Sequence, residues 1–459
     1  METLVDKDAV EGNLRLMANC FGVVHGGVGV LLVYATSLFS ERCGSMGNGF
    51  FFAMTLPGSL LLAVPLLSLL GRKGCLLYSF CSYVVYAILF CVARAMQHGD
   101  QEHERCDQAG PVLLCIGSSL AGLAAGVMWT GQGSYFAYAA KLLSTGSDDE
   151  AHRQQATSWL AGVFAVRYLG WELSLKLFVS LVQYFGQVNL SIIALIAMAT
   201  LATVVFAACD NLPKEVQKDP PGQMLGKLRS VLPALWGEVK APRAERSRRL
   251  DCQALALWPD ATIWLLSPTN LAFGFGSAYM NGYFNSEIAA KIVGVDTIGA
   301  LASVTVVTAA MASMGYSFLA KRGKALPLAL GSLAMVATMI FGFTERTSHM
   351  GVGLVFVPYM LWGFGRGSYE SVNRAALADF YKSSKTEAAF ANYTFQQCTA
   401  ASIAFFVNQA KLSVTATTIT ALLVWPCYCA AHWLCAPDPE RRYLMEAEPT
   451  TVSARQISF

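Results

Sequence analysis

The chain has 459 residues, of which 54% are apolar and only 14% charged, with a net charge of +3 and a mean hydropathy of +0.45. A soluble domain carries about 25% charged residues, so this balance excludes a soluble enzyme, a nucleic-acid binder and a disordered scaffold, and identifies an integral membrane protein in a lipid bilayer. Twelve spans of about 20 residues need about 240 residues, which the apolar fraction supplies.

Residues 1–12 are acidic and polar, without an n-region or a small-residue cleavage site, so the first span is expected to act as its own uncleaved insertion signal. Apolar runs of 18 or more residues place spans near 13–38, 48–70, 75–96, 111–138, 158–183 and 190–209. A second set falls near 261–284, 297–320, 325–344, 351–380, 386–409 and 413–436. These runs must be helical, because lipid offers backbone groups no hydrogen-bond partner.

Between the two sets lies a stretch of different character, 210–260, with Pro213, Pro220 and Pro221 and nine Lys or Arg. It reads as a linker between an N-terminal half, 13–209, and a C-terminal half, 261–436, with a tail at 437–459. Within it Leu225, Leu228, Leu232 and Leu235 recur at helical spacing, predicting a short helix in the headgroup layer. Arg243, Arg246, Arg248 and Arg249 follow and suit anionic lipid or a solvated basic loop. With cytosolic termini, the loops on the opposite side hold only six of the 33 Lys and Arg, namely Arg42, Arg94, Arg105, Lys291, Arg346 and Lys411. The positive-inside rule therefore places both termini and the linker in the cytosol.

The halves echo each other. Gly71-Arg72-Lys73-Gly74 follows the second span, and Lys321-Arg322-Gly323-Lys324 follows the eighth. Gly131-Gln132-Gly133-Ser134-Tyr135 lies in the fourth span, and Gly365-Arg366-Gly367-Ser368-Tyr369 in the tenth. Two like halves, each with both ends on one side, are related by an axis along the membrane normal, the arrangement of the major facilitator superfamily, with any solute held between them.

Leu70-Gly71-Arg72-Lys73-Gly74, the string Ala124-Ala125-Gly126-Val127-Met128-Trp129-Thr130-Gly131-Gln132-Gly133-Ser134-Tyr135, and the segment Glu387 to Tyr393 resemble the Unc-ninety-three family of ion-channel regulatory proteins. The resemblance is strongest over 13–185 and returns over 360–406. It implies a major facilitator fold. Functionally it spans a potassium-channel-associated subunit, a trafficking chaperone for innate immune receptors, and members read as transporters. Gly71, Arg72, Lys73 and Arg322 fall in the loops to which that superfamily assigns gating. Where the wider superfamily carries an acidic residue three positions before the glycine, this chain has Ser68.

Ionisable groups inside spans are costly enough to count as functional candidates. The fifth span carries Arg167, Glu172 and Lys176, the last two one turn apart and able to pair. The tenth carries Arg366, Glu370 and Arg374 at successive i,i+4 positions, where Glu370 could bridge both arginines. Asn19, His25, Gln132, Asn270, Asn281, Asn392, Gln396 and Gln397 add polar groups. One reading makes these an electropositive cavity for a small anionic or zwitterionic solute, with Arg366 as principal contact and Gln132 opposite it. The other makes the charged triad a neutral lock between helices, within a subunit that binds another membrane protein. His25 is either a proton relay or a packed ring. Gly22 and Gly26, like Gly122 and Gly126, have small-xxx-small spacing for close helix contact. Gly363, Gly365 and Gly367 either pack closely or loosen the tenth helix.

Of thirteen cysteines, Cys43 and Cys106 alone fall clearly in non-cytosolic loops, where an oxidising compartment would pair them. Cys427 and Cys429 do not make a C-x-x-C motif. No nucleophile, base and acid set, phosphate loop or metal-ligand spacing is present, so neither catalysis nor a cofactor is expected. Gly131-x-Gly133 lies in an apolar helix without a preceding strand. The sequon at Asn189 abuts a span, and that at Asn392 is intramembrane.

Overall fold

The structure is a computed structural model describing residues 7–96, 106, 108–143, 150–209, 255, 257–320, 322–343, 351–381 and 384–435. The expected surface helix, the basic run of the linker and the tail lie outside these residues. The described residues form helices and short connections. In order these are α1 (Lys7–Leu38), α2 (Glu41–Pro57), α3 (Ala63–Met96), α4 (Ala109–Leu143), α5 (Glu150–Tyr184) and α6 (Val188–Ala208). Then come α7 (Ala261–Leu265), α8 (Ser267–Tyr279), α9 (Ala290–Val293), α10 (Ile298–Ala320) and α11 (Ala325–Phe343). The last are α12 (Val352–Gly367), α13 (Arg374–Phe380), α14 (Ser384–Val407) and α15 (Ala410–Cys435). Among the described residues, six stretches are long and apolar enough to cross a membrane: Asp8–Leu38, Leu69–Met96, Ala109–Phe136, Val188–Ala208, Val295–Ala320 and Ala410–Leu434.

The other expected spans are helical too, but several are interrupted. Pro57 has no N–H and crowds the preceding turn, and the chain continues as a π turn, Gly58–Leu62, before α3. The second expected span therefore runs through α2, this turn and the start of α3. The basic turn after it narrows to one residue, Gly71, at φ 71° and ψ 176°, a conformation that glycine alone adopts without strain. The seventh span breaks at Leu266 before Pro268, where α8 begins, and passes through a π turn, Met280–Ala289. The tenth breaks at Ser368–Asn373, a π turn joining α12 to α13.

One core cluster draws almost wholly on residues up to Phe206 and a second on Leu257 to Ala431. Large apolar side chains also cover the outside, among them Leu201, Met314 and Trp433, as a bilayer solvent requires and water disfavours. Small residues let the helices close up. A Cβ on Gly363 would fall 1.7 Å from Thr308 Oγ1, and one on Gly126 2.2 Å from the backbone nitrogen of Ser59. Gly363, Gly365 and Gly367 of α12 therefore pack closely, and the irregular backbone comes just after them.

Cys43, near the start of α2, is joined to Cys106, just before α4, with Cα atoms 5.3 Å apart and a sequence separation of 63. Closing a loop of that size restricts the unfolded chain, so Cys43→Ser is expected to cost about 2–4 kcal/mol. Thermal melts with and without reductant check this. Reduction should lower the melting temperature of the natural chain toward that of the variant, and leave the variant unchanged.

Candidate functional site

The charged residues of α5 and of the α12 segment meet across the molecule. Arg366 Nη1 and Nη2 donate to the two oxygens of Glu172, at 3.0 and 2.9 Å, and its Nε donates to Glu370 at 2.8 Å. Lys176 Nζ donates to Glu172 at 2.6 Å. Two cations and two anions thus close into a neutral network, and Glu172 at its centre is only 6% exposed. The bidentate geometry is the strong form of the guanidinium–carboxylate contact.

The geometry differs from the expected arrangement in two respects. Every nitrogen of Arg366 is engaged within the protein, by Glu172 and Glu370. Its partner in the first helix set is Glu172 and not Gln132, whose side chain makes no hydrogen bond among the described residues. The expected bridge from Glu370 to Arg374 is also not made. Arg374 Nε instead donates to Tyr393 Oη at 3.3 Å, and its guanidinium lies 5.3 Å from the Tyr393 ring and 6.0 Å from that of Trp129. Arg374 is nevertheless exposed. It is a cation without a carboxylate partner among the described residues, bordered by aromatic faces.

A wall of rings continues from there. His25 packs against Trp129 at 5.0 Å, Phe21 at 5.4 Å, Tyr168 at 5.8 Å and Tyr83 at 5.9 Å. Its Nδ1 lies 3.5 Å from Tyr83 Oη. His25, Trp129 and Tyr168 are all half-buried, so the wall presents ring surface to open space. Sequence reasoning missed these aromatics apart from the Trp129 string, because apolar rings at helical spacing carry no functional signal of their own.

Three other expected site residues turn inward to packing. Asn270 Nδ2 donates to Gln396 Oε1 and Asn373 Nδ2 to Asn270 Oδ1, both at 2.7 Å, while Trp258 Nε1 donates to Asn392 Oδ1 at 2.8 Å. All four amides are buried. Asn373, Asn270 and Gln396 form a chain that ties α8 to α14 and to the π turn before α13, while Asn392 pairs with the Trp258 indole. Asn19 accepts from Trp171 Nε1 at 3.2 Å, between α1 and α5.

The basic turns grip neighbouring helices. Arg72 Nε donates to Ser134 Oγ at 3.1 Å, with its guanidinium 4.3 Å from the Tyr138 ring. Lys73 Nζ donates to the carbonyls of Ala207, at 3.0 Å, and Cys209. In the second set the matching contact is made by Lys324, paired with Asp379 and the Ala375 carbonyl. Arg322, the residue expected to act there, is exposed.

Among the described residues, contacts joining the segment up to Cys209 with the segment from Leu257 onward cluster at the helix ends near Leu38 and Glu41. Gly299 N donates to Tyr34 Oη at 2.8 Å, Ala300 N to Ser180 Oγ at 3.1 Å, and Thr36 Oγ1 to the Asn281 carbonyl at 2.9 Å. Phe52 stacks on Phe405 at 5.7 Å and Phe50 meets Phe406 at 5.1 Å. Below this closed end lie the Glu172–Arg366 pair and the Arg374–Trp129 contact.

Glu41 stands at the rim of the closed end. Burial pushes its carboxyl above the ordinary value and Glu287 adds to the rise, while a hydrogen bond with Asn408 and the charge of Lys291 oppose it. A carboxyl with a raised folded pKa binds its proton more tightly when folded, so its stabilising contribution is present at low pH and is lost as pH rises from the ordinary value through the raised one. Glu41→Gln is expected to flatten the fall in melting temperature across that window.

No family model matches the chain. In sequence it is similar to UNC93-like protein 3 of Arabidopsis thaliana, 24% identical over 319 residues, covering 66% of this chain and 63% of that protein. The chain thus spans less than two thirds of the plant relative's length. It is likewise similar to protein unc-93 homolog A of Bos taurus, 24% identical over 431 residues, covering 86% and 87% of the two chains. In structure it is similar to a mutant of the nucleoside transporter NupG, with a TM-score of 0.60, 12% identity and coverage of 92% and 99%. It is also similar to the peptide transporter POT in complex with sulfate, with a TM-score of 0.61, 11% identity and coverage of 93% and 94%. The fold is that of the major facilitator transporters, and the sequence relatives are Unc-ninety-three-like proteins.

Proposed function

We propose that this chain is a secondary transporter that moves a small anionic or zwitterionic solute by alternating access between two six-helix halves, twelve spans in all, with both termini cytosolic. The observation that carries this reading is Arg374, an exposed residue whose guanidinium faces aromatic rings from both helix sets. It is the residue we assign to the solute's anionic group, in place of Arg366. The half-buried rings of Trp129, Tyr168 and His25 would stack on a planar part of the same solute. The Glu172–Arg366 pair then acts as the lock between the halves, and the contacts near Leu38 and Glu41 close one side while the other stays open.

The fold neighbours include a nucleoside transporter and a peptide transporter crystallised with sulfate, so nucleosides, short peptides and small carboxylates are the first solutes to test. The experiment is uptake of these compounds by vesicles reconstituted with the purified chain. Saturable flux in protein-loaded vesicles alone supports the reading, and its absence across the panel in correctly folded protein counts against it. A second reading, a non-transporting subunit of a channel or receptor, is favoured by one observation. The Glu172, Lys176, Arg366 and Glu370 network is self-neutralised, as a static lock would be.

A further inference from the structure

The six intramembrane ionisable residues of the two charged stripes divide by partner. Glu172, Lys176, Arg366 and Glu370 neutralise one another, and Arg374 faces the rings. Arg167 remains. Its one hydrogen bond among the described residues runs from Nη1 to the Val163 carbonyl of its own helix, at 3.4 Å. No carboxylate lies within ion-pair distance among the described residues. Five positions separate it from Glu172, a rotation of about 140° around the helix, so the two cannot share a face.

The face that Arg167 occupies is the exposed one. Val166 on this side is 72% exposed and Leu181 58%, with Trp171, Leu177 and Tyr184 also exposed, while Glu172, Leu175, Lys176 and Val179 are buried. In a membrane that exposed face meets lipid. There Asn19, Val166, Arg167, Gly170, Trp171 and Ser174 line a groove of about 500 Å³. Arg167 lies at the midpoint of α5, 17 residues from either end, and about nine residues into the span expected over 158–183, inside the end positions from which arginine snorkels most readily. A guanidinium on a lipid face is stabilised by an anion brought to it.

From this we infer that the α5 groove binds the headgroup of an anionic phospholipid, with its phosphate on Arg167, polar support from Asn19 and Ser174, and an acyl chain along Val166 and Leu177. The oxygens of a phosphate match the planar fork of arginine, which lysine reproduces only in part. Charge complementarity selects the occupant, and the opening onto lipid selects its source over a free phosphate from water. The site is on the opposite side of α5 from the proposed solute path and does not depend on that reading.

The test places the purified chain in phosphatidylcholine nanodiscs doped with phosphatidylglycerol and reads retained lipid by native mass spectrometry. The natural chain is expected to retain phosphatidylglycerol in preference to phosphatidylcholine, and millimolar inorganic phosphate should not displace it. Arg167→Gln should reduce the retained anionic lipid about tenfold, and Arg167→Lys by less. Gly170→Leu fills the groove while keeping the charge. A Cβ at Gly170 meets nothing within 4 Å, so this variant should fold and also lose the lipid. Retention unchanged in folded Gly170→Leu, or in folded Arg167→Gln, overturns the proposal. Displacement by inorganic phosphate likewise overturns the assignment to lipid.

Discussion

Glu172→Ala is expected to destabilise the protein by about 3–5 kcal/mol, the cost of leaving buried cations without their anion. Both Arg366 and Lys176 donate to this carboxylate, and in its absence only Glu370 would remain beside them. The measurement is the melting temperature of purified protein together with the amount reaching the membrane. A second variant separates the charge imbalance from lost packing. Replacing Glu172, Lys176, Arg366 and Glu370 together by leucine or methionine removes every charge of the network, and burial arguments for ion networks expect most of the stability to return. A Glu172→Ala protein as stable as the natural chain would mean that the network is hydrated and contributes little.

An all-helical chain with long apolar stretches was legible from the sequence because hydrophobic length is a local property, and six such stretches stand among the described residues. The pairing of Arg366 with Glu172 was not, since 194 positions separate them and no periodicity reaches that far. Local spacing instead suggested Glu370 as a bridge between Arg366 and Arg374. The first bond forms. The second does not form: the backbone from Ser368 to Asn373 is a π turn, in which i→i+5 bonding shifts the register, and Arg374 Nε donates to Tyr393 Oη instead. A similar limit applies to Asn270, Asn392 and Gln396. A buried amide within a span reads as a site candidate until its partners are known, and theirs are other amides and an indole. In the second helix set the contact beside the basic run passes through Lys324 and not Arg322, because Asp379 lies on a neighbouring helix.

The same π turn sets up the prediction that bears most directly on function. Releasing Arg374 from the charged network leaves one guanidinium whose protein partners, Tyr393 and Trp129, are neutral rings that a solute anion can supplement without displacing a carboxylate. A hydrogen bond to a charged group contributes about 1.5–3 kcal/mol, so Arg374→Ala should weaken solute binding roughly 10- to 100-fold at nearly normal abundance, because no buried anion is left unpaired. Arg374→Lys should recover part of the loss, keeping the charge without the planar fork. Arg366→Ala should behave differently, lowering abundance first, since it strips Glu172 of its bidentate partner. Surface abundance and concentration-dependent uptake measured side by side distinguish these outcomes. If Arg374→Ala transports normally while Arg366→Ala folds normally and loses flux, the solute contact is Arg366 after all, and the lock must open whenever the solute binds.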